Sequence, residues 1–215
     1  MNEYAIDFAQ ILIIVHATQG GIALLCGMIA ILSKKGSALH KRAGKIFFYS
    51  MLSSALLSLV ISILPNHESA FLFVIGVFSS YFILIGYRAI NFKNSNISLV
   101  FEKAITLVLL LNGVVMEILA FGGSKSINPI LAVFGGVAIV FAINNFILFK
   151  NSSKLKSQWL KIHLGNMMGG YIAATTAFVV VNNLIPGVFG WFVPGVIGGL
   201  FIYYSLRKFR TPKKT

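Results

Sequence analysis

Apolar residues along this chain do not alternate with polar ones; they gather into seven runs separated by short polar connections. The runs fall at about 8–32, 45–64, 70–91, 103–121, 128–149, 162–182 and 187–206. Each is close to the roughly 20 residues a helix needs to cross a hydrocarbon core about 30 Å thick. Runs this long lack the period-two pattern of a membrane barrel strand, and a helix satisfies its own backbone groups in lipid. The connections carry turn residues, as in "PNHES", "GGSKS" and "NNLIPG". The pattern predicts an all-α integral membrane protein. It forms a single domain over residues 1–215, a seven-transmembrane helix bundle with no internal repeat and no inserted soluble domain.

Composition agrees. Of 215 residues, 57% are hydrophobic and only 11% charged, with a mean hydropathy of +0.87. Soluble domains carry about a quarter charged residues. The distribution of charge adds an orientation. Lys34, Lys35, Lys41, Arg42 and Lys45 lie in or near the first connection, and Arg88, Lys93 and Lys103 near the third. Lys150, Lys154, Lys156 and Lys161 surround the fifth, and Arg207, Lys208, Arg210, Lys213 and Lys214 form the tail, leaving Lys125 alone on the alternate connections. The positive-inside rule then puts the N-terminus outside and the C-terminus in the cytoplasm of a bacterial inner membrane. The net charge of +13 is read as contact with the bilayer and its anionic headgroups, not with nucleic acid. No basic residue precedes the first run, so it is expected to be a mature span and not a cleaved signal. Cys26 is the single cysteine, which excludes a disulfide framework and covalent haem attachment.

Small residues show which faces turn inward. In the first span they recur with His16 at helical spacing, as His16, Gly20, Ala23, Gly27 and Ala30. In the sixth the series is His163, Asn166, Gly170, Ala174 and Ala177. Such faces let helices approach closely, so both histidines are expected at helix–helix contacts. "GNMMG" and "GVIGG" repeat the packing spacing, with Met167 and Met168 as packing residues. From span midpoints and the helical rise, His16 and Glu117 lie in the outer half, with His67 in the turn above them. His40 and His163 lie at the cytoplasmic boundary, about 20 Å away. The four histidines thus sort into two levels.

Histidine pairs from two helices ligate b-type haem in helical bundles, and ionisable groups at membrane depth mark functional sites by default. The candidate cofactor ligands are therefore His16, His163, His40 and His67, for haem b or a transition-metal ion. Glu117, the only acidic residue well inside a predicted span, is a candidate metal ligand with His16 or a proton-handling group along a polar path with Asn144 and Asn166. The bland alternative is that His16 hydrogen-bonds Gln19 or a neighbouring span, that His40 contacts headgroups, and that the asparagines bond between helices. The last span contains no lysine for a retinal Schiff base. With two histidines per level and no acid beside His40 and His163, a zinc hydrolase is the weaker reading.

The segments "HATQGGIALLCG", "KKGSALHKRAGKIFFYSM" and "WLKIHLGNMMGGYIAATTAF" together resemble a family of small bacterial multi-spanning membrane proteins of unknown function. The resemblance runs along nearly the whole chain and implies that His16, His40 and His163 are its polar signature positions. It brings no activity. A more distant likeness in layout, histidines at two levels of a bundle, is to diheme cytochrome b-type oxidoreductases. There the histidines occupy four central spans, whereas here they lie in spans one and six and in two connections. The leading expectation is a redox or metal protein of the membrane. The alternatives are a non-enzymatic small-molecule or ion transporter, channel or sensor, or a structural subunit of a membrane complex, with homo-oligomers open.

Overall fold

Hydropathy marks where a chain enters lipid, and some of the helices that cross here start well before those marks. The structure, a computed structural model, describes residues 3–94, 97–122 and 127–208. Among the described residues there are seven α-helices long and apolar enough to span a membrane, and no strand. They are α1 (Glu3–Leu32), α2 (Ala38–Ile61), α3 (Ala70–Arg88), α4 (Val100–Phe121), α5 (Pro129–Phe149), α6 (Ser152–Val181) and α7 (Phe189–Lys208). A 3-10 turn, Ala89–Lys93, follows α3. Lys125, Arg210, Lys213 and Lys214 lie outside the described residues.

Caps explain the early helix starts. The Ser37 hydroxyl accepts from the His40 amide at 3.2 Å, so α2 begins at Ala38, before the apolar run that starts near residue 45. Asn151 accepts from the Lys154 amide at 2.9 Å and starts α6 ten residues ahead of its apolar stretch. Both first turns are polar. They continue the hydrogen-bond ladder beyond the hydrocarbon, where cap residues satisfy amides that have no intrahelical partner. His40, expected in a connection, therefore sits in the first turn of α2. Asn128 caps α5 through two amides, with Pro129 as the first helical residue.

Four helices close a ring. α1 packs on α2, α2 on α3, α3 on α6, and α6 on α1. α4 pairs with α5 and also touches α3, while α7 covers α6. The small-residue faces are where expected: Ala23, Gly27 and Ala30 are buried, as are Asn166, Gly170 and Ala174, whereas Ala177 is exposed. One close approach lies between α3 and α6. A Cβ at Gly86 would stand 2.8 Å from the Met167 backbone nitrogen and 2.9 Å from its sulfur, so only glycine allows this spacing. Phe47, Phe48, Met51 and Ile83 fill the space toward α1, joined by Tyr171 and Tyr87.

Replacing Gly86 by valine should lower unfolding stability in detergent by about 1–3 kcal/mol, the usual range for overpacking. Gly21→Ala, where an added Cβ meets nothing within 4 Å, should be neutral or slightly stabilising. Thermal unfolding of the two purified variants followed by tryptophan fluorescence checks this; equal midpoints would contradict the close α3–α6 contact.

Candidate functional site

Each of the three helical histidines spends one ring nitrogen on a backbone carbonyl of the next helix in the ring. His16 Nδ1 on α1 lies 2.8 Å from the Ser54 carbonyl of α2, with the Ser54 hydroxyl 3.1 Å away. That hydroxyl in turn donates to the His16 carbonyl at 3.0 Å. His40 Nδ1 on α2 lies 2.9 Å from the Ala30 carbonyl of α1. His163 Nδ1 on α6 lies 2.8 Å from the Gly86 carbonyl of α3. A carbonyl only accepts, so Nδ1 carries the proton in all three rings and Nε2 is left with its lone pair when the ring is neutral. Two of these carbonyls belong to the last turns of α1 and α3, where the helix has no amide of its own to offer. Lys35 adds its ammonium to the same end of α1, 2.5 Å from the Ile31 carbonyl, and desolvation there lowers its pKa from the ordinary lysine value.

The two levels differ in what surrounds them. His163 lies within electrostatic range of His40 and Lys93. His16 meets α2, whereas Glu117 turns to α5, its Oε1 lying 2.7 Å from where a Gly135 Cβ would stand. The structure thus does not bring the Glu117 carboxylate to the recorded partners of His16. His67 is exposed in the turn after α2, its amide bonded to the Leu64 carbonyl. Among the described residues, no three His, Cys, Asp or Glu side chains gather as a metal site. Asn144 and Asn166 do come together, lining a cavity of about 200 Å³ between α5 and α6 with Asn145 and Lys161. Glu117 stands apart from it, about 14 Å farther along α5 by the helical rise between Gly135 and Asn144.

The most deeply buried charge was not among the candidates. Glu102, one residue before the expected start of the fourth span, is inside α4 and has no exposed surface. Arg88 at the end of α3 donates from Nε to its Oε1 at 2.5 Å, and the guanidinium also lies over the Phe101 ring. Glu102 Oε2 has no protein partner. One turn on, the Thr106 hydroxyl donates to the Glu102 carbonyl at 2.6 Å. The Tyr81 hydroxyl lies 3.3 Å from Thr106 Oγ1, and Asn145 Nδ2 donates to Tyr81. Directions in this chain follow from its carbonyl end. With Thr106 donating to a carbonyl, Tyr81 must donate to Thr106 and accept from Asn145. The network therefore ties α4 to α3 and α3 to α5. A signal existed in sequence: an acid fourteen residues after an arginine, on either side of a short connection.

These features can be set against known proteins. Residues 13–103 match the model of a family described as a predicted membrane protein (DUF2306). The matched stretch runs from within α1 into the first turn of α4. It holds His16, His40 and both Arg88 and Glu102, and ends before His163. It covers the first two of the three segments that carry the resemblance, not the third. No curated protein and no solved structure matches.

Arg88→Met should destabilise the bundle by about 3–5 kcal/mol, because it leaves the Glu102 carboxylate buried without a counter-charge. Arg88→Met combined with Glu102→Leu should recover most of that loss. Detergent-induced unfolding of the single and double variants measures the coupling; additive losses would show that the pair does not act as a unit.

Proposed function

We propose that the chain is a redox or metal protein of the membrane, in which His40 and His163 are the principal ligand pair and His16 belongs to a second level. The observation that carries this reading is the state of the rings. Both imidazoles are held by an Nδ1–H bond to a backbone carbonyl, which leaves Nε2 free. Ligating histidines are oriented in this way, through a hydrogen bond from the nitrogen that does not bind the metal. The donor set suits haem b or a transition-metal ion, which would supply one-electron chemistry while the chain holds the ligands and sets the surrounding polarity. Tyr171 packs against Gly27 and Met167 against Gly86 at this end of the ring. The same reading places the basic ends at anionic headgroups on the cytoplasmic face of a bacterial inner membrane, with the N-terminus outside.

The buried network of Glu102, Thr106, Tyr81 and Asn145 favours a second reading, a non-enzymatic ion or solute path through α3, α4 and α5.

An absorption spectrum of the protein purified in mild detergent separates the two. A Soret band, or a stoichiometric transition metal by elemental analysis, is expected, and should be lost in His163→Ala and in His40→Ala while the variants remain monodisperse. A colourless, metal-free protein after expression with haem precursor and metal supplements would overturn the redox reading and leave the path.

A further inference from the structure

The cavity between α5 and α6 is independent of the histidines, and its hydrogen-bonding groups have a fixed sense. Asn166 is 4% exposed, and its Nδ2 donates to the Ile162 carbonyl at 2.8 Å. Because that partner only accepts, the amide cannot be turned over, and the free atom is the acceptor Oδ1. It has no partner in the protein. Asn145, 8% exposed, is oriented from the other side by the chain that ends on the Glu102 carbonyl: one N–H of its Nδ2 goes to the Tyr81 hydroxyl. Its Oδ1 is the second acceptor. Both residues line the cavity, and so does Lys161, whose ammonium brings positive charge and only donors.

Two amide oxygens, that of Asn166 buried and unpartnered, stand beside one cation and favour one complement. An unpaired acceptor at low dielectric is unfavourable, and it selects a ligand that brings N–H donors. The lysine selects an anionic neighbour to those donors. The position is also telling. Asn145 lies four residues from the end of α5, about 6 Å along the helix, near the level where headgroups meet acyl chains. Its volume of about 200 Å³ is on the scale of a headgroup. Exposed Asn144 and Phe141 stand at its rim.

We propose that this cavity binds a zwitterionic group, with a primary ammonium on the Asn145 and Asn166 oxygens and an adjoining phosphate or carboxylate on Lys161. The chemistry is shared by the headgroup of an aminophospholipid and by a free amino phosphate or amino acid. Phosphatidylcholine carries no N–H on its nitrogen, and phosphatidylglycerol has no ammonium at all, so the three lipids form a graded probe.

Native mass spectrometry of the detergent-purified full chain, with each lipid added in turn and free phosphoethanolamine in a separate arm, tests this. Phosphatidylethanolamine should be retained about tenfold more than the other two, the worth of one charge-assisted hydrogen bond. Asn166→Leu should abolish the preference, Asn166→Asp should keep it by preserving the acceptor, and Lys161→Gln should weaken retention. A lipid preference that depends on Asn166 assigns the site to the headgroup. Binding of free phosphoethanolamine that depends on Asn166, without a lipid preference, assigns it to the soluble group. Equal retention of the three lipids with no phosphoethanolamine binding, or retention indifferent to Asn166→Leu, overturns the proposal. Asn166→Asp also controls for folding, since a merely structural asparagine would not be served by a charged substitute.

Discussion

The ring of α1, α2, α3 and α6 depends on how near two backbones can come. At Gly86 the absence of a Cβ lets α6 settle against α3 with Met167 directly over the glycine. Only at that spacing does the His163 ring reach the Gly86 carbonyl at 2.8 Å. Lipid offers helices no hydrophobic reward for associating, so close packing and cross-helix hydrogen bonds must supply the attraction. Here both arise at one residue, Gly86, which meets Met167 by packing and His163 by hydrogen bonding. The α1–α2 contact is built similarly, with His16 and His40 tying it near opposite ends.

The polar interior divides into two systems that share α3. On one side His40 and His163 close helix ends, His16 ties α1 to the middle of α2, and all three fix their own tautomers. On the other, Arg88 neutralises Glu102 and a directed chain of hydroxyl and amide groups passes from Glu102 through Thr106 and Tyr81 to Asn145. A buried ion pair is weak evidence for added stability, because desolvation offsets most of the attraction. Its effect is on register. With Arg88 at the end of α3 and Glu102 in the first turn of α4, the pair sets the two helices against each other at one height.

Much of this architecture is readable from the apolar runs, because lipid forces each long run to be a helix. The inward faces of α1 and α6 were equally legible, since glycine and alanine at helical spacing have no other common use in a membrane. Helix starts were not legible. The polar turns at 38–44 and 152–161 look like connection by hydropathy, yet Ser37 and Asn151 cap them into helix. The same error placed Glu102 outside its span, and so hid the pairing with Arg88. That contact depends on the 3-10 turn at 89–93 and on the angle at which α4 returns, neither of which any residue pattern specifies. The expectation that His16 and Glu117 share a height rests on depth alone, and depth does not say which neighbour a side chain meets. Glu117 meets α5, and His16 meets α2.

The Arg88–Glu102 pair also bears on how the chain enters its membrane. The two residues are separated by fourteen positions. At about 5–20 residues per second of synthesis, the acid emerges roughly one to three seconds after the arginine. Arg88, partly exposed at the end of α3, can wait at the headgroups, whereas Glu102 is fully buried and costly to place in α4 without it. The two helices are thus best released into lipid together, as a hairpin already neutralised across its turn. Loss of either charge would then be felt first by the insertion machinery, before any finished bundle exists to be destabilised.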